Sequence, residues 1–330
     1  MVSVQSFPAR RLARIVLAGL LAVALTPTAA HATRSDHSDS KKKVTVTAAF
    51  FPLAAAVAQV GGSLVKVTNL TPAGVEPHDI ELNTQQAESV LDADLAVMVG
   101  NGFQPQVEDI AADRSGPTLN VLKALPINAG DKKVEEGHED GDAKHSDEDG
   151  DATALDPHVW LDPVLYQSVV DAIASALSKV DPNHAADYTA NAAAYNAKLV
   201  ALNTEYETGL ANCSRQLLVT AHEAFGWLTQ RYGLTPEGIA GISPDAEPNP
   251  QRLADLTDLV EKKGVTTIYT EDLVSPKVAR TLAREAGGLK TATLNPLEGL
   301  TAKQIKAGAT YISEMQDNLQ AIQKGLGCSA

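Results

Sequence analysis

The sequence predicts an α/β protein of two lobes, each a parallel sheet flanked by helices, with one long rigid helix joining them. Strand-like and helix-like stretches alternate over residues 44–100 and again from residue 216 onward, and a β-α-β-α rhythm implies parallel strands covered by helices. Between the two rhythms Tyr188, Ala192, Tyr195, Leu199, Leu202, Tyr206 and Leu210 recur at steps of three and four, an apolar stripe of helical period. A chain of 330 residues with 44% apolar content also has enough material for two cores.

Residues 1–32 read as a secretory signal peptide. Arg10, Arg11 and Arg14 form a basic flank, residues 15–25 an apolar run, and Ala30-His31-Ala32 a small-x-small cleavage site. The apolar run is short for a bilayer span. No cysteine lies near the cleavage site, so the expected product is exported, periplasmic or extracellular, and not lipid-anchored. Residues 33–42 are polar and lysine-rich, a flexible tether.

The N-terminal lobe is expected over residues 43–182. Residues 44–48 alternate as a strand and run into an alanine-rich helix at 52–60, closed by Gly61-Gly62. A second strand at 64–70 leads into the loop Thr71-Pro72-Ala73-Gly74-Val75-Glu76-Pro77-His78-Asp79, in which a proline precedes His78. Asn83 can cap a helix reaching about residue 93, residues 95–99 form a buried strand, and Gly100-Asn101-Gly102 turns the chain. Residues 131–154 are a disordered acidic loop. Within 135–151, Gly137, Gly141, Gly150, His138 and His145 interleave with carboxylates, so no core can form there, and the two histidines add weak capture of divalent metal to a solvated, charged segment.

Ordered structure resumes at Asp156-Pro157-His158-Val159-Trp160-Leu161-Asp162-Pro163. Two prolines hold His158 on a stiff, non-helical stretch, as a preorganised metal ligand requires; the plainer alternative is a histidine that ends a loop beside a buried Trp160. A helix at 166–180 and the helix-start signal Asp181-Pro182 follow. The connecting helix then occupies residues 183–212, about 27 residues of stripe-bearing helix or roughly 40 Å.

Residues 213–330 form the C-terminal lobe. Strands are expected at 216–220, 236–240, 266–270 and 290–294, with helices at 224–232, 250–263 and 276–286 between them. Thr301 caps one last helix reaching about residue 324. Ala221-His222-Glu223 ends the first of these strands, and Asn295-Pro296-Leu297-Glu298 leaves the last.

The formal net charge is −14, and removal of the signal leaves 24 basic against 41 acidic residues. That balance excludes nucleic acid and anionic membrane surfaces as partners. Cys213 and Cys328 are the two cysteines, an even pair read most simply as one disulfide. A two-cysteine metal site is the rival, and it has no CxxC spacing behind it.

In open parallel sheets ligands bind beyond the carboxyl ends of the strands. His78, His222 and Glu298 all fall there, with His158 entering from its stiff segment. Imidazoles with a carboxylate suit a borderline divalent ion, zinc before manganese, whereas magnesium and calcium want oxygen alone.

The strings E-P-H-D-I-E-L-N, D-P-H-V-W-L-D-P, T-A-H-E-A-F-G-W-L, I-S-P-D-A-E-P and L-N-P-L-E-G-L-T occur in this order behind the signal. Over residues 44–326 the chain thereby resembles the zinc- and manganese-specific substrate-binding proteins of ABC importers. The resemblance implies a metal site in the cleft between the lobes, with His78, His158 and His222 as ligands. Many members have Asp where this chain has Asn295, and the sequence is similar to the subgroup in which the glutamate three residues on, here Glu298, completes the site; Glu271 is the reserve carboxylate. Asn295 is neutral and offers only an amide oxygen. Three imidazoles, one glutamate and the acidic histidine-bearing loop also resemble the zinc members rather than the manganese ones. The implied function is an extracytoplasmic zinc receptor, a monomer and not an enzyme, that passes Zn²⁺ to an ABC permease in the membrane. The alternative from another class is a secreted zinc hydrolase, with a metal-bound water and Glu223 or Glu76 as general base. It lacks H-E-x-x-H, and a fourth protein ligand would close its site. A surface adhesin finds no repeats or anchor to support it.

Overall fold

The computed structural model describes residues 43–127, 155–244 and 248–329. The expected signal peptide and tether, the acidic loop with His138 and His145, and part of the I-S-P-D-A-E-P string lie outside the described residues.

The first lobe runs β1 (Val44–Ala48), α1 (Phe51–Gly61), β2 (Val65–Asn69), α2 (Thr84–Asp92), β3 (Leu95–Met98), α3 (Pro105–Asp113), β4 (Thr118–Asn120) and α4 (Val121–Ala124). Its strands are all parallel, in the order β2-β1-β3-β4, with Val46 of β1 opposite Val67 on one side and Leu95 on the other. Then come α5 (Pro163–Val180) and the long α6 (Ala185–Leu210). The second lobe runs β5 (Leu217–Thr220), α7 (Gly226–Arg231), β6 (Thr235–Gly238), α8 (Pro250–Lys262), β7 (Thr267–Thr270), α9 (Lys277–Glu285), β8 (Lys290–Thr293), α10 (Ala302–Ala307) and α11 (Tyr311–Leu326). Its parallel order, β6-β5-β7-β8, repeats that of the first lobe. In each sheet the first strand lies between the second and third, so the winding reverses there and a crevice opens at the strands' carboxyl ends.

Local chemistry sets the element boundaries. Asn83 accepts from the backbone of Gln86 while the Gln86 side chain reaches back to the backbone of Asn83, a reciprocal cap that starts α2. The helix expected at 166 begins at Pro163, because Asp162 accepts from the Val164 amide and Pro163 presets the first helical φ. The strand expected at 236–240 is shifted to Thr235–Gly238. Elements α3, β4 and α4 had no counterpart in the sequence reading; β4 has three residues and α4 four, too few to show a period. The single final helix is corrected to two. Gly308 takes φ 77° and ends α10, and Thr310 starts α11 by a reciprocal cap with Ser313. A lone glycine inside an otherwise helical pattern left that break invisible.

The buried stripe of α6 is Tyr188, Ala192, Tyr195, Leu199, Leu202, Tyr206 and Leu210. It packs on α1 and α5 of one lobe and on α11 of the other. One apolar core runs through this junction and includes Phe50, Trp160, Tyr166, Phe225, Leu294, Leu297 and Tyr311. A smaller core of Val219, Ile239, Leu256, Val260, Ile268 and Leu282 lies under α8 and α9. The inner face of the second lobe is therefore continuous with the first lobe, and its outer face is separate.

Polar tips of buried aromatics stitch that junction. Trp160 Nε1 donates to the Pro296 carbonyl at 2.7 Å, Tyr311 Oη to the Trp160 carbonyl at 2.6 Å, and Trp227 Nε1 to the Asp156 carbonyl at 2.9 Å. Tyr166 and Tyr311 stack with ring centroids 4.0 Å apart. Such a joint resists hinge motion, because opening it would strand buried donors and acceptors. Cys213 and Cys328 are brought together sulfur to sulfur, next to backbone bonds from Ser214 to Gly327 and from Arg215 to Leu326. Among the described residues no helix is long and apolar enough to cross a membrane.

Candidate metal centre

Each candidate ligand is presented by a segment that local bonds hold. The loop after β2 is anchored by Thr71 Oγ1 donating to the Ala49 carbonyl, and its Gly74 amide crosses to the Leu300 carbonyl of the other lobe at 2.9 Å. Within it Glu76 accepts the backbone N–H of His78, and Phe103 packs edge-on to the imidazole at a centroid distance of 4.4 Å. Asp156 does more for His158: one oxygen takes the backbone N–H at 2.9 Å and faces ring Nδ1 at 2.8 Å. His222 lies two residues beyond β5, and Glu271, at the end of the neighbouring β7, takes its backbone N–H at 3.2 Å and faces its Nδ1 at 2.8 Å.

Glu298 is aimed by a strained turn. Leu297 is fully buried with φ 58°, one of two non-glycine residues with positive φ among the described residues. A non-glycine residue there costs about 1–3 kcal/mol, which surrounding bonds must offset. Asn295 supplies them: its Oδ1 accepts the Leu297 amide at 2.8 Å, its Nδ2 donates to Glu314 at 2.8 Å, and Asn318 bonds its backbone on both sides. Asn295 thus faces away from the cluster and shapes the turn that presents Glu298.

Nε2 of His78, His158 and His222 lies 3.3, 3.2 and 3.2 Å from the same oxygen, Oε1 of Glu298. A ligand atom from each of the four residues falls within 4.8 Å of the others, and no other such group occurs among the described residues. Zinc bonds to nitrogen at about 2.0–2.1 Å place the corners of a tetrahedron roughly 3.3 Å apart. The three separations match that edge. His158 Nε2 is fully buried 3.2 Å from Glu298 Oε1, so it faces the centre of the group. The donor set and its spacing fit a small tetrahedral cation.

The electrostatics differ around the cluster. His78 is lowered from its ordinary pKa, chiefly by burial, which Glu298 only partly offsets. Burial also opposes charge on His158 and His222, but Asp156 and Glu298 raise the first, and Glu271 and Glu298 raise the second well above the usual range. Burial would push Glu298 up, yet the His222 charge and hydrogen bonds from the rings hold it well below. His158 and His222 are 0% exposed, Glu298 1% and His78 9%, so His78 is the most exposed of the four.

Glu271, expected as a reserve ligand, stands behind His222 and outside the four-residue group. Glu223 is half-buried beside Arg252 and Glu237, and Glu76 holds the His78 backbone; neither belongs to the group. The reading of the residues missed the backing roles of Asp156 and Glu271. Asp156 carried a signal, because acid-Pro-His occurs twice, as Glu76-Pro77-His78 and Asp156-Pro157-His158.

The model of the family described as "Zinc-uptake complex component A periplasmic", ZnuA, matches residues 46–325. The chain belongs to the ZnuA family. Zinc-binding protein AdcA of Streptococcus pyogenes serotype M3 is 38% identical over 288 residues, 85% of this chain and 56% of that protein, so the chain spans little more than half of the AdcA length. The high-affinity zinc uptake system protein ZnuA of Bacillus subtilis is 35% identical over 88% of this chain and 90% of its own. Among solved structures, the Zn(II)-bound ZnuA-like domain of Streptococcus pneumoniae AdcA superposes with a TM-score of 0.68 at 35% identity, covering 86% of this chain and 99% of that domain. The pneumococcal protein is named a zinc-binding lipoprotein. Two four-stranded parallel sheets with a long helix between them are therefore this ZnuA-family member's fold as well as its sequence expectation.

Proposed function

We propose that this ZnuA-family chain is an extracytoplasmic, high-affinity zinc receptor that delivers Zn²⁺ to an ABC-type membrane importer. The observation that carries the reading is the convergence of three imidazole nitrogens on one carboxylate oxygen at the edge length of a zinc tetrahedron. Zinc is the cargo. His78, His158, His222 and Glu298 are its ligands, and manganese, which favours more carboxylate, is the poorer fit. Four protein ligands leave no open position for a reacting water, which speaks against the hydrolase alternative and for a binding protein without enzymatic activity.

Capture replaces protons by metal at the imidazoles. The stiff junction keeps lobe motion small, so entry and release fall to the loop that carries His78. In this reading residues 1–32 are a signal peptide and 33–42 a tether, 43–182 and 213–330 are the lobes, and 183–212 is the connector. Cys213 and Cys328 form a disulfide suited to an oxidising compartment, closing a long loop and stabilising the fold by roughly 3–5 kcal/mol. The receptor acts as a monomer with Zn²⁺ and the permease as partners, and its acidic balance disfavours nucleic acid. Weak capture by His138 and His145 feeds the tight site.

The test is metal content and stoichiometry of the purified protein in a Zn²⁺/Mn²⁺ competition. One tightly held zinc per chain that manganese does not displace is expected. Retention of manganese, or no tight equivalent, overturns the reading.

A further inference from the structure

Two of the three histidines are gripped in the same way by carboxylates that do not reach the centre of the group. One oxygen of Asp156 lies 2.9 Å from the His158 backbone nitrogen and 2.8 Å from its Nδ1. One oxygen of Glu271 lies 3.2 Å from the His222 backbone nitrogen and 2.8 Å from its Nδ1. Asp156 is local, two residues before its histidine across Pro157, whereas Glu271 arrives from β7, the strand beside the one that carries His222. Unrelated chain paths have produced closely similar grips, that of Glu271 having its second oxygen 2.9 Å from the same Nδ1 as well.

An ionised carboxylate only accepts, so the Nδ1 facing it carries the proton, and Nε2 is left to face the centre. Holding the backbone N–H and Nδ1–H on one oxygen closes a small ring that fixes both side-chain torsions of the histidine. A ligand fixed before the metal arrives loses no rotamer freedom on binding. The carboxylate also makes the ring a stronger donor.

We propose that Asp156 and Glu271 are positioning residues for the metal site: each fixes the tautomer and ring plane of one histidine, and the pair sets how tightly zinc is held without touching it. The proposal rests on the zinc-receptor reading and adds to it the two residues behind the ligands. Glu271→Gln keeps side-chain size and removes the charge. Its zinc dissociation constant, measured by competition with a chromophoric chelator, should rise by about 10–100-fold. In the zinc-loaded protein, long-range ¹H–¹⁵N spectra should show strongly hydrogen-bonded Nδ1–H resonances for His158 and His222. Glu271→Gln should shift the His222 resonance alone and Asp156→Asn the His158 resonance alone.

Unchanged zinc affinity with an unshifted Nδ1–H resonance in Glu271→Gln overturns the proposal. So does a lower melting temperature of the metal-free protein with no change in zinc affinity, which would make Glu271 purely structural. Should Asp156→Asn not fold, Glu271→Gln decides alone. His222→Ala separates the two levels: if it binds zinc as tightly as the unaltered chain, the ligand assignment itself fails. If His222→Ala loses the metal while Glu271→Gln does not, only the positioning role fails.

Discussion

His78 and His222 face the same carboxylate oxygen from opposite lobes, at 3.3 and 3.2 Å, yet their surroundings pull their proton affinities apart. His78 rides on a loop, keeps 9% exposure, and is lowered by burial. His222 is fully buried between Glu271 and Glu298 and is raised well above its ordinary range. Burial acts on both in the same direction, so the difference comes from the second carboxylate. One side of the cleft is therefore an imidazole of lowered proton affinity on a loop that keeps some exposure. The other is a clamped imidazole of raised proton affinity in a rigid wall.

Removing the wall histidine should cost more than removing the loop histidine. His222→Ala leaves Glu271 and Glu298 buried without the imidazole between them, and zinc affinity should fall by more than about 100-fold, since changes behind a ligand already cost about 10–100-fold. His78→Ala should fall less. For the unaltered protein, zinc at 100 times its dissociation constant adds about 2.7 kcal/mol of stability, read as a rise in melting temperature. His222→Ala and His158→Ala should lose most of that rise, and an equal or larger loss in His78→Ala would break the comparison.

Protonation supplies the next effect. His158 and His222 have raised pKa values, so as pH falls they take up protons before His78 does, and zinc must then displace them; zinc affinity should rise with pH through the range in which they titrate and fall in acid. His78, with its lowered pKa, is already neutral near pH 7 and contributes little. Calorimetry in buffers of different ionisation enthalpy should show proton release on binding that His222→Ala reduces and His78→Ala preserves. Proton release that tracks His78 would reverse the assignment.

The smallest of the three effects concerns the turn. Asn295→Ala removes the acceptor of the Leu297 amide and the donor to Glu314, so Glu298 loses its aim but not its charge. Chelator competition should show a weaker zinc site than in the unaltered chain, and a stronger one than in Glu298→Ala. The opposite order would transfer the ligand role to residue 295.

How much of this was legible beforehand depends on how local each interaction is. The α6 stripe, the Asn83 cap and the Thr301 cap depend on neighbours within one or two turns, and all were readable. The site divides in the same way. Acid-Pro-His places Asp156 against His158 within three residues, whereas Glu271 is 49 positions from His222 and meets it only because β5 and β7 pair. The break at Gly308 escaped notice because a helical glycine and a terminating glycine look alike until the next helix is seen to start from its own cap at Thr310.

By itself the sequence determined the two α/β rhythms, the connector between them, and which residues carry metal-binding chemistry, because periodicity, capping and donor type are properties of short stretches. The family resemblance already favoured Glu298 over Glu271, and the tertiary structure decided the place each takes, one in the cluster and one behind His222. That choice rests on the pairing of β5 with β7 and on the buried positive φ of Leu297, which the core shared between the lobes holds in place. Glu271 and Glu298 have the same side chain, and separate backbone paths place one behind His222 and the other among the three imidazoles.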